Sequence, residues 1–306
     1  MKLIFFGTGA FAVPSLEAIV SAGHEVVRVI TQPDRPQGRG RAVAPSPVKA
    51  TAQRLQLPVA QPDRLGPELA DGTALDAGVA LDYGKIIPSA LLAHPAHGLL
   101  GVHPSKLPAY RGAAPVPWAI LRGETATAVT IFRLVPRMDA GDILLQEPLP
   151  IGPEEDAASL LGRAAEAGAQ LLVHGLALLA AGRARWIPQD ETRVSLAPKL
   201  TKAQGVIDWR HSAEELSRLV RATVPWPGAA TVWNGQPLKI WAARAEPGQN
   251  AGAPGTVVSA SGDGMLVATG QGVLRILEVQ PPGGRRMSVK EFLAGRKVAA
   301  GERFGA

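Results

Sequence analysis

Residues 2–12 read Lys2-Leu3-Ile4-Phe5-Phe6-Gly7-Thr8-Gly9-Ala10-Phe11-Ala12. A short apolar run meets a glycine turn, and Pro14–Ala22 continues with a helical apolar pattern. A strand turning through glycine into a helix opens an α/β layer. Working outward, Glu25–Ile30 is a second β-rich run, and Pro47–Leu55 is a helix with Pro47 suited to its first turn. Ala77–Leu81, Leu99–His103 and Ala128–Val135 are further strands, and Ala157–Ala181 is a long helix ended by Gly182. Thr31–Pro47 reads as a long polar loop. Strands alternating with helices predict an α/β domain with a parallel-rich sheet and right-handed crossovers.

Past Pro188 the pattern changes. A turn-rich connection, Gln189–Gly205, leads to an amphipathic helix, Ala213–Ala222. Short β runs follow at 230–232, 238–242, 255–259, 265–268 and 273–279, separated by Asn234-Gly235, Asp263-Gly264 and Gly270. Short strands between turn signals predict a small β-barrel. The expected division is 1–188 for the α/β domain, 189–204 for a linker and 205–306 for the β domain.

Composition sets bounds on function. A chain of 306 residues, 46% hydrophobic and 19% charged, holds two ordinary globular domains. With no cysteine there is neither a disulfide nor a thiolate metal site, which suits a reducing cytoplasm. The N-terminal apolar run is too short for a membrane span, so no membrane partner is expected. A monomer is the default expectation. Charge is uneven. Residues 1–187 carry a net +1 and residues 188–306 a net +5. A basic second half suits a polyanion, although a solvated basic surface would look the same.

Gly7-Thr8-Gly9-Ala10-Phe11-Ala12 fits G-x-G-x-x-G/A between a strand and a helix, the setting of a dinucleotide-binding turn. Asp34 even lies near the end of the second strand, where a ribose acid would stand. Yet Asp34 sits in the proline-bound Gln32-Pro33-Asp34-Arg35-Pro36, and no later segment supplies a hydride-transfer site. A tight strand-to-helix turn is the simpler reading.

The densest polar stretch of the first half is Gly101-Val102-His103-Pro104-Ser105-Lys106-Leu107-Pro108-Ala109-Tyr110-Arg111-Gly112-Ala113-Ala114-Pro115. His103 closes an apolar strand, and open α/β sheets bind ligands beyond such ends. Met138-Asp139-Ala140-Gly141-Asp142 follows another strand and can bring a carboxylate to the same rim. A histidine and a carboxylate so placed can divide acid and base work. Taken singly, each is also an ordinary loop or turn residue. His94 and His97, an i, i+3 pair in a loop without a carboxylate companion, make no metal site, so no metal is expected.

Ser105–Pro115 (SKLPAYRGAAP) resembles the signature of the methionyl-tRNA formyltransferases, a folate-dependent formyltransferase family. Order and spacing agree along the whole chain. The matching segments include Phe6-Gly7-Thr8, Thr31–Pro36 with Gly38-Arg39-Gly40, Tyr83–Pro88, Asp139–Asp142, Gln189–Glu191, Ala197–Leu200, Ile207-Asp208-Trp209 and Pro225-Trp226-Pro227. The resemblance implies a Rossmann-like formyltransferase domain followed by an OB-like barrel. It implies transfer of a formyl group from 10-formyltetrahydrofolate to the α-amine of methionyl-initiator tRNA. On that resemblance His103 is a donor to the formyl oxygen, and Asp139 orients the imidazole and helps remove the amine proton. Ser105, Lys106, Leu107 and Pro108, with the backbone at Lys85, Ile86 and Ile87, line the folate pocket. Arg35, Arg39 and Arg41 meet the tRNA acceptor stem, where arginine suits phosphate.

Departures from the family cluster near this site. Gly101 stands where the family has an asparagine that donates to the formyl oxygen; Lys106 replaces leucine, Asp82 alanine and Gly9 proline. Losing one such donor typically lowers the rate about 100- to 1,000-fold, so weakened activity is expected, with a water in the vacated space recovering part of it. Two other classes share the same pocket: a formyltransferase acting on a nucleotide sugar or small amine, and a catalytically impaired member that binds folate or tRNA.

Overall fold

The computed structural model describes residues 1–37, 42–70, 72–246 and 252–305. The chain falls into two compact units. The first comprises residues 1–115, 126–150 and 161–197, and the second 116–125, 151–160 and 198–306.

The first unit begins with β1 (Lys2–Phe6), α1 (Val13–Ser21) and β2 (Glu25–Ile30). A hairpin follows, β3 (Arg35–Gln37) with β4 (Ala42–Ala44), and then α2 (Pro47–Arg54). Ser46 caps α2 by accepting the Lys49 N–H at 3.1 Å, and Pro47 takes the first turn, where a missing N–H does no harm. The chain continues with β5 (Val59–Ala60), β6 (Ala77–Ala80), α3 (Ser89–Leu92), β7 (Leu99–His103), α4 (Pro115–Leu121), which falls in the second unit from residue 116 on, β8 (Ala126–Arg133), β9 (Ile143–Pro150) and α5 (Ala157–Ala180).

The sheet runs β5-β2-β1-β6-β7-β8-β9. The first five of these strands are parallel, while β8 is antiparallel to both β7 and β9. The parallel-rich expectation holds, with an antiparallel edge. The long loop expected at 31–47 contains the β3–β4 hairpin, and β9 went unpredicted. Its Pro148 and Pro150 hide it in sequence but fit an edge strand, where an N–H is not needed on the open side. β7 is buried along its whole length. The sheet order departs from β1 in both directions, so the C-terminal ends of β1 and β6 form the switch point where such sheets bind ligands.

The second unit contains α6 (Ala213–Ala222) and an antiparallel sheet ordered β10 (Ala229–Trp233), β11 (Gln236–Glu246), β14 (Val273–Gln280), β13 (Gly264–Ala268) and β12 (Val257–Ser261). β15 (Met287–Ser288) pairs with β14, and α7 (Val289–Gly295) follows. Ile207, Leu216, Val220, Ile240, Ile276 and Phe292 are among its buried core. The sequence predicts a separate β domain here, in the form of a small barrel; the structure shows a domain built on an antiparallel sheet. Among the described residues no helix is long and apolar enough to cross a membrane.

Candidate active site

At the switch point the glycine turn is filled by the chain itself. A Cβ on Gly9 would lie 1.8 Å from Asp82 Oδ2, and the Thr8 and Gly9 N–H groups donate to the Asp82 carbonyl at 3.1 and 3.3 Å. The Phe11 N–H bonds to the Asp82 carboxylate. Gly9 thus permits a close approach, and the Asp82 carboxyl already occupies the space beside the glycine turn. Both Asp34 oxygens are also engaged, with Lys49 Nζ at 2.5 Å and Gln61 Nε2 at 2.8 Å. Neither half of the dinucleotide motif is free to bind one.

One strand further along the sheet, His103 ends β7 and is 6% exposed. Its Nε2 lies 3.0 Å from the Tyr110 carbonyl. A carbonyl only accepts, so Nε2 carries a proton and donates. Nδ1 faces Asp139 Oδ2 at 3.9 Å. That gap is too long for a direct hydrogen bond and leaves a small polar group room to contact both atoms. Asp139 Oδ2 also accepts the Gly112 N–H at 2.8 Å. Tyr110 and Asp139 both have positive φ, +63° and +50°, a backbone region sparsely used by residues other than glycine. Two non-glycine residues in that region mark a site held by its surroundings.

Gly101 lies on the same strand, opposite Phe132 of β8. A Cβ on Gly101 would meet Phe132 Cε1 at 2.5 Å and Cζ at 2.8 Å. Phe132 is 2% exposed and packs edge-on to His103, with ring centroids 6.3 Å apart. The volume beside Gly101 therefore holds an aromatic ring, where a water had been expected.

The folate-lining candidates separate into two groups. Ser105 is fully buried and its hydroxyl donates to the Ala109 carbonyl at 2.7 Å, while its own carbonyl accepts from Thr130 Oγ1 at 2.7 Å. Leu107 is buried too, and its carbonyl accepts from Gln146 Nε2 at 3.1 Å. These two build the loop. Lys106 is exposed and Pro108 half-buried, so both keep a face toward solvent. Lys85 is half-buried, Ile86 is 91% exposed, and Ile87 packs against the core around Phe6 and Tyr83. Arg35 lies on β3 at the base of the hairpin, and Arg39 and Arg41 lie outside the described residues. Among the described residues no group of three or more His, Asp or Glu is arranged to hold a metal.

Sequence reading does not single out Phe132 or the Tyr110 carbonyl, and it gives Arg111 as a cation beside a flexible point, whereas the structure buries Arg111. Arg111 spans Gln189 and Glu191, with Nη2 2.7 Å from Gln189 Oε1 and 2.9 Å from Glu191 Oε1.

Residues 1–176 match the family described as Formyl transferase, and residues 199–297 match Formyl transferase, C-terminal domain. The chain belongs to the formyl transferase family. Within it, the chain is 46% identical to a methionyl-tRNA formyltransferase of Solibacter usitatus, covering 100% of this chain and 99% of that one. It is 45% identical to the protein of the same name from Moorella thermoacetica, with the same coverage. Among solved structures, an N-formyltransferase from Helicobacter canadensis in complex with folinic acid and dTDP-3-aminofucose superposes with a TM-score of 0.70 at 18% identity, covering 94% of this chain and 100% of that one. HypX from Aquifex aeolicus, in complex with tetrahydrofolic acid, does so with a TM-score of 0.67 at 19% identity over 98% of this chain and 50% of that one. The formyl transferase fold thus spans both units.

Proposed function

We propose that this formyl transferase moves a formyl group from 10-formyltetrahydrofolate to the α-amine of methionyl-initiator tRNA. The observation that carries the reading is the His103–Asp139 pair, two groups flanking a 3.9 Å gap at the ligand-binding rim. With Nε2 committed to the Tyr110 carbonyl, Nδ1 is the nitrogen that meets substrate. In the imidazolium form Nδ1–H donates to the formyl oxygen as the neutral amine attacks the formyl carbon and negative charge builds there. Asp139 stabilises that imidazolium and, through water, accepts the proton the amine sheds. The new C–N bond forms as the bond to the folate nitrogen breaks, and that nitrogen takes up a proton. Lys106 and Pro108, with the exposed Ile86 and the backbone of Lys85 and Ile87, are the proposed folate-lining positions; Ser105 and Leu107 shape their loop.

Full-length likeness to methionyl-tRNA formyltransferases at 45–46% identity favours tRNA as acceptor over a nucleotide-linked amino sugar. The division into residues 1–188 for chemistry, 189–204 as connection and 205–306 for holding tRNA is part of this reading. So are tRNA contacts by Arg35, Arg39 and Arg41, action as a monomer and a place in the cytoplasm. No side-chain donor stands at Gly101 and Phe132 fills its surroundings, so transfer is expected to be about 100- to 1,000-fold slower than with that donor present. The test offers 10-formyltetrahydrofolate with methionyl-initiator tRNA or with a dTDP-linked amino sugar and identifies the product by mass spectrometry. Formylmethionyl-tRNA is expected; formylated sugar alone would overturn the choice of acceptor.

A further inference from the structure

Gln189 lies 50 residues after Asp139 in the chain, yet its side-chain amide binds that residue's loop. Its Nε2 donates to the Asp139 carbonyl at 2.9 Å and to the Gly141 carbonyl at 2.7 Å. Its Oε1 accepts from Arg111 Nε at 3.1 Å and Nη2 at 2.7 Å. A primary amide offers two hydrogens and two lone pairs, and here all four are used. Arg111 is 4% exposed, and Glu191 meets its charge, 3.3 Å from Nη1 and 2.9 Å from Nη2. The flanking chain is tied as well. The Tyr110 N–H donates to Ser195 Oγ and the Arg111 N–H to the Ser195 carbonyl, both at 2.9 Å.

These bonds converge on the two atoms that define the reacting pair. Arg111 follows Tyr110, whose carbonyl fixes His103 Nε2, and precedes Gly112, whose N–H holds the Asp139 carboxylate. Asp139 itself sits in the left-handed region, a conformation held by its surroundings. A single amide therefore joins the loop bearing the carboxylate to the loop that orients the imidazole.

We propose that Gln189 is the positioning residue of the His103–Asp139 pair, setting the gap between Nδ1 and Oδ2, and that Arg111 acts through it. The inference rests on the function proposed above. Gln189→Glu separates the two halves of the bracket: the new carboxylate still accepts from Arg111 but cannot donate to either carbonyl. Gln189→Ala removes both halves. For Gln189→Glu, kcat for methionyl-tRNA is expected to fall about 10- to 100-fold, the scale of a reacting group displaced by about 1 Å. KM for folate should stay within about twofold of wild type, and the thermal transition should stay close to it, because the Arg111 contact survives. Ring ¹⁵N NMR of His103 reads the same geometry without substrate. The wild type should show the Nε2–H tautomer, and Gln189→Glu should show a tautomer mixture. Unchanged His103 spectra in Gln189→Glu and Gln189→Ala would overturn the proposal. So would full kcat in the folded variants. If the wild type gives the expected spectra but formylates no tRNA, the function assignment fails and the bracket stands.

Discussion

Gly101 and Phe132 face each other across β7 and β8, and a side chain at 101 would enter the Phe132 ring. Restoring the missing donor therefore takes two changes. Gly101→Asn alone is expected to overpack a buried site, costing about 1–3 kcal/mol and lowering the melting temperature without speeding transfer. Gly101→Asn with Phe132→Leu should recover much of that stability and raise the single-turnover rate about a hundredfold over wild type. A single Gly101→Asn variant as stable as wild type and faster would contradict this account. Asp82 makes a similar pair with Gly9, and desolvation holds its carboxyl above the ordinary carboxylate range, opposed by the bond from the Phe11 N–H. An acid with a raised folded pKa binds its proton more tightly in the native state, so stability falls as pH rises through that window and stays lower above it. Asp82 is exposed as a residue, so solvent screens much of this effect: Asp82→Asn should raise the melting temperature only slightly at pH 7, and the gain should shrink toward about pH 4, near the unfolded pKa. An equal gain at both values, read by calorimetry, would exclude the charge as its cause. The structure sets His103 and Asp139 3.9 Å apart, and that they could meet at one rim was legible in the sequence. The residues that neighbour them were not, because Phe132 lies 31 positions from Gly101 and Asp82 lies 73 from Gly9. No periodicity reports contacts between segments so far apart in the chain.

The β3–β4 hairpin stands on an anchor of side chains. Lys49 Nζ meets Asp34 Oδ2 at 2.5 Å and Gln61 Oε1 at 2.8 Å, while Gln61 Nε2 reaches back to the Gln32 carbonyl at 2.8 Å. The hydrogen bond from Lys49, with that from Gln61, holds the Asp34 carboxyl below its usual range. This contribution is present above the unfolded carboxylate pKa and fades as pH falls through the lower folded value, so the anchor is fully set at neutral pH. Lys49→Met should raise KM for methionyl-tRNA about tenfold, the scale of one charge-assisted hydrogen bond, with little change in KM for folate. Equal effects on both would point to a general loss of structure. Helices α2 and α6 were readable because caps and spacing mark them; Ser212 and Glu215, for example, form a capping box on α6. The hairpin and β9 were not. Proline and polar residues interrupt their alternation, and pairing with neighbouring chain, absent from any local pattern, makes them strands.

Across the whole molecule, the alternation of the main strands and helices in the first half and the run of short strands in the second followed from periodicity and turn signals, while strand direction did not. Nothing in Ala126–Arg133 or Ile143–Pro150 says that these strands run antiparallel at the sheet edge, since tertiary pairing decides it. The basic second half leaves two readings open in sequence, a polyanion-binding face or a solvated one; it matches the formyl transferase C-terminal domain, and tRNA binding there is part of the proposed function. The chemistry proposed for the chain converges on one histidine nitrogen. The measurement that tests it most directly is single-turnover transfer of labelled formyl from 10-formyltetrahydrofolate to methionyl-initiator tRNA, for the wild type and for His103→Ala. A slow wild-type reaction that falls at least about a hundredfold further in His103→Ala is the predicted result. Equal rates in the two proteins, or no transfer by the wild type at any enzyme concentration, would contradict it.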